Sequence, residues 1–123
     1  MNKLPVAAVI NTNPDLVELL KSRIEAAGFV VLTMHLAEIR AGLDLRGVLE
    51  AHQPSVIVFD VVMPYDRNWR FLQHLRETTL KGYRFVLTSP AALRKIVGRD
   101  EQIYEILDDS GDIDAIVQAV REA

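Results

Sequence analysis

Asp60 is the residue whose type and position point first to chemistry. It directly follows the apolar run Val56–Phe59, and the pair Met63-Pro64 comes shortly after it. A carboxylate at the end of an apolar strand lies at the mouth of a sheet, where it can meet a ligand. The alternative is that such an aspartate only organises its turn. Asp60 is therefore the first candidate functional residue.

Three other polar clusters follow apolar runs that are typical of strands. They are Asn11-Thr12-Asn13, Thr88-Ser89 and Asp108-Asp109. The carboxyl ends of parallel strands meet at one edge of a sheet, and ligands bind there beside the point where the strand order reverses. We therefore expect these clusters to lie at the same edge as Asp60.

Composition excludes several other kinds of site. The chain has no cysteine, so disulfides, thiolate metal sites and a cysteine nucleophile are absent. The histidines His35, His52 and His74 have neither metal-ligand spacing nor a paired acid, and no catalytic histidine is assigned. We expect His52 to close a helix and His74 to lie on a helix surface rather than to act in phosphotransfer. No glycine-rich phosphate loop follows the first strand.

The elements that must position these residues follow from hydrophobic periodicity. The predicted strands are Val6–Ile10, Phe29–Met34, Ser55–Phe59, Arg84–Leu87 and Ile103–Leu107. The predicted helices are Pro14–Ala27, Leu45–His52, Trp69–Thr79, Leu93–Gly98 and Ile113–Val120, of which the fourth is short. The pattern assigns no element to Leu36–Gly42. Solid apolar strands that alternate with helices predict a parallel sheet covered on both faces, with right-handed crossovers.

Size and charge narrow the function classes. The 123 residues, half of them apolar, suffice for one core, so residues 1–123 are predicted to form a single domain. A net charge of −3 argues against nucleic acid or anionic lipid as a partner. The chain has no apolar stretch of transmembrane length and no cleavage pattern at its amino end, which predicts a soluble, cytoplasmic protein.

The sequence resembles the receiver domain of bacterial two-component response regulators over its whole length. The run Asp60-Val61-Val62-Met63-Pro64 is similar to that family's phosphoacceptor motif, Arg84–Ser89 to its fourth strand, and Tyr104 to its aromatic switch residue. The resemblance implies a CheY-like, three-layer (βα)5 flavodoxin-like α/β fold with strand order 2-1-3-4-5. It also implies that Asp60 is the nucleophile for a phosphoryl group, that Thr88 is the hydroxyl donor to it, and that Tyr104 is the switch aromatic.

The chain departs from the family pattern at the cation positions. Asn11 and Thr12 stand where receivers usually carry two acidic residues that hold Mg²⁺. Neutral oxygens bind Mg²⁺ poorly, so the metal site of Asp60, Asn11, Thr12 and Val62 is predicted to be weak or absent. Without acidic neighbours, Asp60 is predicted to titrate like an ordinary surface aspartate.

The lysine expected after the fifth strand is missing as well. Leu107 or Asp109 occupies its place, depending on the alignment, and the last lysine in the chain is Lys95. Two replacements remain open: a relocated cation site of Asp60 with Asp108 or Asp109, and a phosphate contact from Arg67 or Arg70.

Two functional hypotheses follow from the resemblance. The first is an atypical receiver that signals by protein–protein interaction, with weak or no Mg²⁺-dependent phosphorylation. The second is a working receiver that is phosphorylated on Asp60 by a histidine kinase or a small phosphodonor. Expected partners are a histidine kinase or other signalling protein and an output protein in trans. A homodimer with a second copy of this chain is a further possibility. The sole enzymatic activity expected is autophosphorylation, because a flavodoxin-like hydrolase would need a nucleophile and base pair that the chain lacks.

Overall fold

The fold is built on a five-stranded parallel sheet. The structure is a computed structural model that describes residues 4–88 and 112–123 in full and the backbone of residues 103–107. The strands are β1 (Val6–Asn11), β2 (Val30–His35), β3 (Val56–Asp60), β4 (Phe85–Thr88) and β5 (Ile103–Leu107). All neighbours pair in parallel in the order β2-β1-β3-β4-β5, which confirms the predicted topology.

The helices in the described ranges cover both faces of this sheet. They are α1 (Pro14–Ala26), α2 (Leu36–Arg40), α3 (Leu45–His52), α4 (Tyr65–Glu77) and α5 (Ile113–Glu122). The start of α1 is as predicted, since Asn13 caps it and Pro14 is its first residue. Its end is marked by Gly28, whose φ of +100° lies in a region that favours glycine.

Two apolar clusters form the core, one on each face of the sheet. On the first face, α2, α3 and α4 pack against residues that include Ala8, Ile10, Ile57 and Phe59. On the second face, α1 and α5 pack against their alternate neighbours, which include Ala7, Val9, Val56 and Val58. Successive strand side chains point to opposite faces, so an unbroken apolar strand supplies both clusters.

The structure adds detail where the sequence pattern was ambiguous. Residues of the unassigned Leu36–Gly42 segment form the short helix α2, which starts directly after β2. The helix ends before Gly42, whose backbone φ angle is +105°. β2, β3 and β4 each lie one residue later than predicted, so they run to His35, Asp60 and Thr88. The predicted helix from Leu93 to Gly98 lies outside the described residues.

Helix α1 offers a test of its predicted cap. The Asn13 Oδ1 atom accepts hydrogen bonds from the backbone N–H groups of Asp15 at 3.0 Å and Leu16 at 3.3 Å. We expect Asn13→Ala to lower the free energy of unfolding by about 1 kcal/mol in urea denaturation, because two helical N–H groups lose their acceptor. Asn13→Ser keeps a capping oxygen and should retain most of that stability, so an equal loss in both variants would contradict the capping role.

The described helices give no sign of a membrane span. Within residues 4–88 and 112–123, none of them combines the length and the apolar character that a bilayer crossing requires.

Candidate functional site

The carboxyl edge of the sheet brings together the ends of β1, β3 and β4. Asp60 and Thr88 are paired residues in the β3–β4 ladder, and the Thr88 hydroxyl donates a hydrogen bond to Asp60 Oδ1 at 2.6 Å. Asn11 follows Ile10, whose partner in β3 is Phe59, the residue before Asp60. The parallel register therefore places the predicted nucleophile, its predicted hydroxyl neighbour and the end of β1 at one edge.

Asp60 is half-buried, and this changes its acidity. Burial raises the pKa of its carboxyl above the ordinary value, and the hydrogen bond from Thr88 opposes part of the rise. Within the described part of the chain, no positively charged side chain lowers this pKa. The prediction that Asp60 titrates like an ordinary surface aspartate is therefore wrong. The loss of neighbouring acids removed one cause of a raised pKa, but desolvation by the surrounding sheet and loop supplies another.

Asn11 uses its side chain to shape its own turn. Its Oδ1 atom accepts hydrogen bonds from the backbone N–H groups of Thr12 at 2.6 Å and Asn13 at 2.9 Å. The Asn11 residue is 3% exposed, whereas Thr12 is exposed. The first cluster of polar residues thus forms a hydrogen-bonded turn that leads into α1, with the Asn11 oxygen facing backbone donors.

The loop between β3 and α4 is held by a residue that the sequence interpretation did not select. The side-chain amide of Asn68 donates to the Val62 carbonyl oxygen at 2.7 Å, and Asn68 Oδ1 accepts a hydrogen bond from the Arg40 guanidinium. Asn68 is 3% exposed. A signal was present in the sequence, because Asn68 lies four residues before Leu72 and so falls on the buried stripe of the helix. A polar residue in that stripe needs partners.

The four residues of the predicted metal site do not fit a divalent cation. Val62 can offer only its backbone oxygen, which already accepts one hydrogen bond from Asn68, and the Asn11 side-chain oxygen accepts two from backbone N–H groups. Asp60 supplies the single carboxylate of the set, the smallest number with which Mg²⁺ sites in proteins are built, and one of its oxygens already accepts the Thr88 hydrogen bond. In the described ranges, no three His, Cys, Asp or Glu side chains gather into a metal-binding group.

The other predicted site residues have separate locations. Arg67 and Arg70 are both exposed on α4, where neither donates to Asp60. Tyr104 lies in β5 as predicted, and its role as a switch residue stays a prediction. Ser89, Asp108 and Asp109 lie outside the described residues, so the relocated cation site stays untested.

The histidine and aromatic predictions can be checked directly. His52 is the last residue of α3, and its Nδ1 atom lies 2.8 Å from the Val48 carbonyl oxygen, which confirms that it closes the helix. His74 is exposed on α4, as expected. Trp69 and Phe71 belong to the core under α4, and the Arg40 guanidinium lies 5.1 Å from the centre of the Phe71 ring.

Solved structures with the same architecture are known, although the sequence has diverged far from them. A sensor protein from Polaromonas sp. JS666 superposes with a TM-score of 0.70 and 17% identity, covering 97% of this chain and 94% of its own. The response regulator TrrA from Thermotoga maritima, in complex with Mg²⁺–BeF, superposes with a TM-score of 0.69 and 17% identity, and the match covers 97% of this chain and 98% of TrrA. A response regulator receiver domain protein from Clostridium thermocellum superposes with a TM-score of 0.69 and 18% identity, and the match covers 97% of this chain and 93% of the matched chain. TrrA is also known in complex with the histidine kinase ThkA.

These likenesses confirm the receiver-type fold that the sequence predicted. They extend over nearly the whole of this chain and of each matched chain. No protein-family model matches the sequence, and a comparison with curated proteins finds no match. The chain thus has the CheY-like fold of response regulator receiver domains.

Proposed function

We propose that this chain is a single receiver-type domain that acts in two-component signal transduction through protein–protein contacts, without Mg²⁺-dependent phosphorylation of Asp60. The observation that carries the proposal is that two of the oxygens expected to hold the metal, those of Asn11 and Val62, already accept internal hydrogen bonds. Transfer of a phosphoryl group needs its negative charge to be neutralised, normally by Mg²⁺ and a cationic side chain. The described site supplies neither to Asp60.

The state of Asp60 supports the same proposal. One of its two oxygens is engaged by the Thr88 hydroxyl, at 2.6 Å. A carboxylate acts as a nucleophile only when a free oxygen can reach the phosphorus atom. In this arrangement, the Asp60–Thr88 pair ties β3 to β4 at the edge of the sheet and acts as a structural contact.

Partners are proposed by class from the shared fold. TrrA forms a complex with the histidine kinase ThkA, so a receiver-type surface can bind a kinase of this class. We propose a histidine kinase or another signalling protein as the partner of this domain and an output protein in trans. Because the signal would be carried by contact alone, Asp60→Asn should bind such a partner as tightly as the wild-type protein.

The direct test is incubation of the purified domain with Mg²⁺ and acetyl phosphate, followed by intact-mass spectrometry. We expect no phosphoryl adduct, because Asp60 lacks both the metal and a cation to neutralise the incoming charge. In parallel, addition of Mg²⁺ and beryllofluoride should leave the backbone amide signals of Asp60 and Thr88 unmoved. TrrA, which binds Mg²⁺–BeF, serves as the positive control.

An adduct would contradict this proposal if it forms on the wild-type protein and disappears in Asp60→Asn. That outcome would favour the second candidate function, a working receiver that is phosphorylated by a kinase or a small phosphodonor. One observation favours this second candidate. The Thr88 hydroxyl lies 2.6 Å from Asp60 Oδ1, so it is close enough to donate to an oxygen of a phosphoryl group bound there.

A further inference from the structure

The loop that follows Asp60 is fastened at several points. This Asp60 loop, residues 61–64, connects β3 to α4. The Val61 N–H group donates to the Thr88 carbonyl oxygen at 2.9 Å. Asn68 bonds the loop twice, through its side-chain amide to the Val62 carbonyl oxygen at 2.7 Å and through its backbone N–H to the Pro64 carbonyl oxygen at 3.1 Å. One residue of α4 thus holds the loop at two places.

The orientation of the Asn68 amide is fixed by its partners. A guanidinium only donates hydrogen bonds, so the atom of Asn68 that faces Arg40 must be the oxygen. The NH₂ group then faces the Val62 carbonyl, which only accepts. Asn68 is 3% exposed, and both ends of its side-chain amide are hydrogen-bonded. A flip of the amide would break both hydrogen bonds.

Arg40 is fixed in turn from α2. Its guanidinium contacts Asn68 and lies 5.1 Å from the centre of the Phe71 ring, a cation–π distance. The positive charge of Arg40 therefore lies against Asn68, the residue whose amide donates to the Val62 carbonyl. A divalent cation approaching that oxygen would have to share it with an N–H donor and meet this charge.

We propose that Asn68, positioned by Arg40, holds the Asp60 loop in the way a divalent cation would, so that the Asp60 site is organised without metal. Asn68 is a positioning residue in this scheme, since it acts through the Val62 backbone and does not touch Asp60. The inference rests on the proposed function, because it explains how a receiver-type site keeps its form after its acidic ligands are gone. It makes the Asn68 amide and the metal competitors for the Val62 carbonyl oxygen.

The test measures Mn²⁺ binding by paramagnetic broadening of the Val61 and Val62 amide signals. Asn11→Asp/Thr12→Asp restores the acidic pair, and Asn68→Ala is then added to it. We expect the restored pair alone to bind Mn²⁺ weakly and the further removal of the Asn68 amide to tighten binding by about 10-fold, because the cation no longer competes with a hydrogen bond at the Val62 oxygen. Gln73→Ala in the same background is the matched control, because it removes a side-chain amide of α4 that bonds Arg76 instead of the loop.

A second measurement needs no restored acids and no metal. Hydrogen exchange of the Val61 N–H group reports whether the loop stays fastened to β4. We expect exchange about 10-fold faster in Asn68→Ala than in the wild-type protein, with a smaller increase in Arg40→Met, which keeps a stem over Phe71. Arg40→Met also tests the proposal if Asn68→Ala does not fold.

The outcomes separate this inference from the proposed function. Equal Mn²⁺ affinity with and without the Asn68 amide would overturn the inference, as would site-specific Mn²⁺ binding by the wild-type protein or unchanged Val61 exchange in both loop variants. A phosphoryl adduct on Asp60 would contradict the proposed function instead. That adduct is measured on the wild-type protein, which carries none of these substitutions.

Discussion

Leu72→Ala is expected to lower the free energy of unfolding by about 3 kcal/mol, which is within the range for leucines removed from tightly packed cores. Leu72 is 0% exposed and packs in the cluster that joins α4 to the sheet. Truncation of Leu72 leaves a cavity in the cluster that joins α4 to the sheet. Urea denaturation can follow the change through Trp69, the single tryptophan of the chain, which lies one turn away on the same helix.

Leu19→Ala is the matched control for that cavity. Leu19 lies on α1 and is 47% exposed, so the same truncation removes far less buried surface. We expect a loss of about 0.5 kcal/mol or less, as for surface substitutions. Similar losses in both variants would contradict the packing of α4 described above.

Asp60→Asn is expected to stabilise the fold at neutral pH by about 0.5–1 kcal/mol, the lower part of the range of single stabilising substitutions, because the site is partly exposed to solvent. Burial raises the pKa of Asp60 in the folded protein, so the folded state holds the proton more tightly than the unfolded state does. The contribution of Asp60 to stability therefore falls as the pH rises through the folded-state pKa. Asparagine carries no charge to desolvate, and its side-chain oxygen can still accept the Thr88 hydrogen bond.

The pH dependence distinguishes this cause from others. The advantage of Asp60→Asn should shrink as the pH falls through the folded-state pKa towards the ordinary value of 3.8, because the wild-type carboxyl then becomes neutral too. Thermal unfolding at a series of pH values measures the difference. Asp66→Asn is the control, since Asp66 is exposed in the first turn of α4 and the same substitution there relieves no burial of a carboxylate. A constant or growing advantage at low pH would refute desolvation as the cause.

The fold was predictable because its main signals are local. Unbroken apolar strands such as Val56–Phe59 require cover on both faces, and the cap at Asn13 and the glycine at Gly28 bound α1 in the sequence itself. Strand ends were less certain, since the last residue of a strand is decided by its neighbour: Thr88 belongs to β4 because it pairs with Asp60. The short helix α2 carries too few residues to show a periodicity.

The candidate site was only partly predictable, because its chemistry depends on contacts between distant segments. Asp60 and Thr88 were selected from their positions at strand ends, and the structure places them in contact. The raised pKa of Asp60 was missed, since burial of a side chain at a strand end depends on the loops around it. Arg40 and Asn68 were missed because their partnership spans 28 residues and two helices.

The two apolar clusters have a consequence for how the chain is made. The cluster under α2, α3 and α4 is drawn, in the described ranges, from residues 8–87, whereas the cluster under α1 needs Ile116, Ala119 and Val120 from α5. During synthesis from the amino end, the first layer can close while α5 is still inside the ribosome. The opposite face, with Val9 and Val58 among its members, is covered by α1 alone, among the described helices, until α5 emerges. Arrival of α5 is thus the step that converts a half-covered nascent sheet, exposed to chaperones and to aggregation, into a protected one.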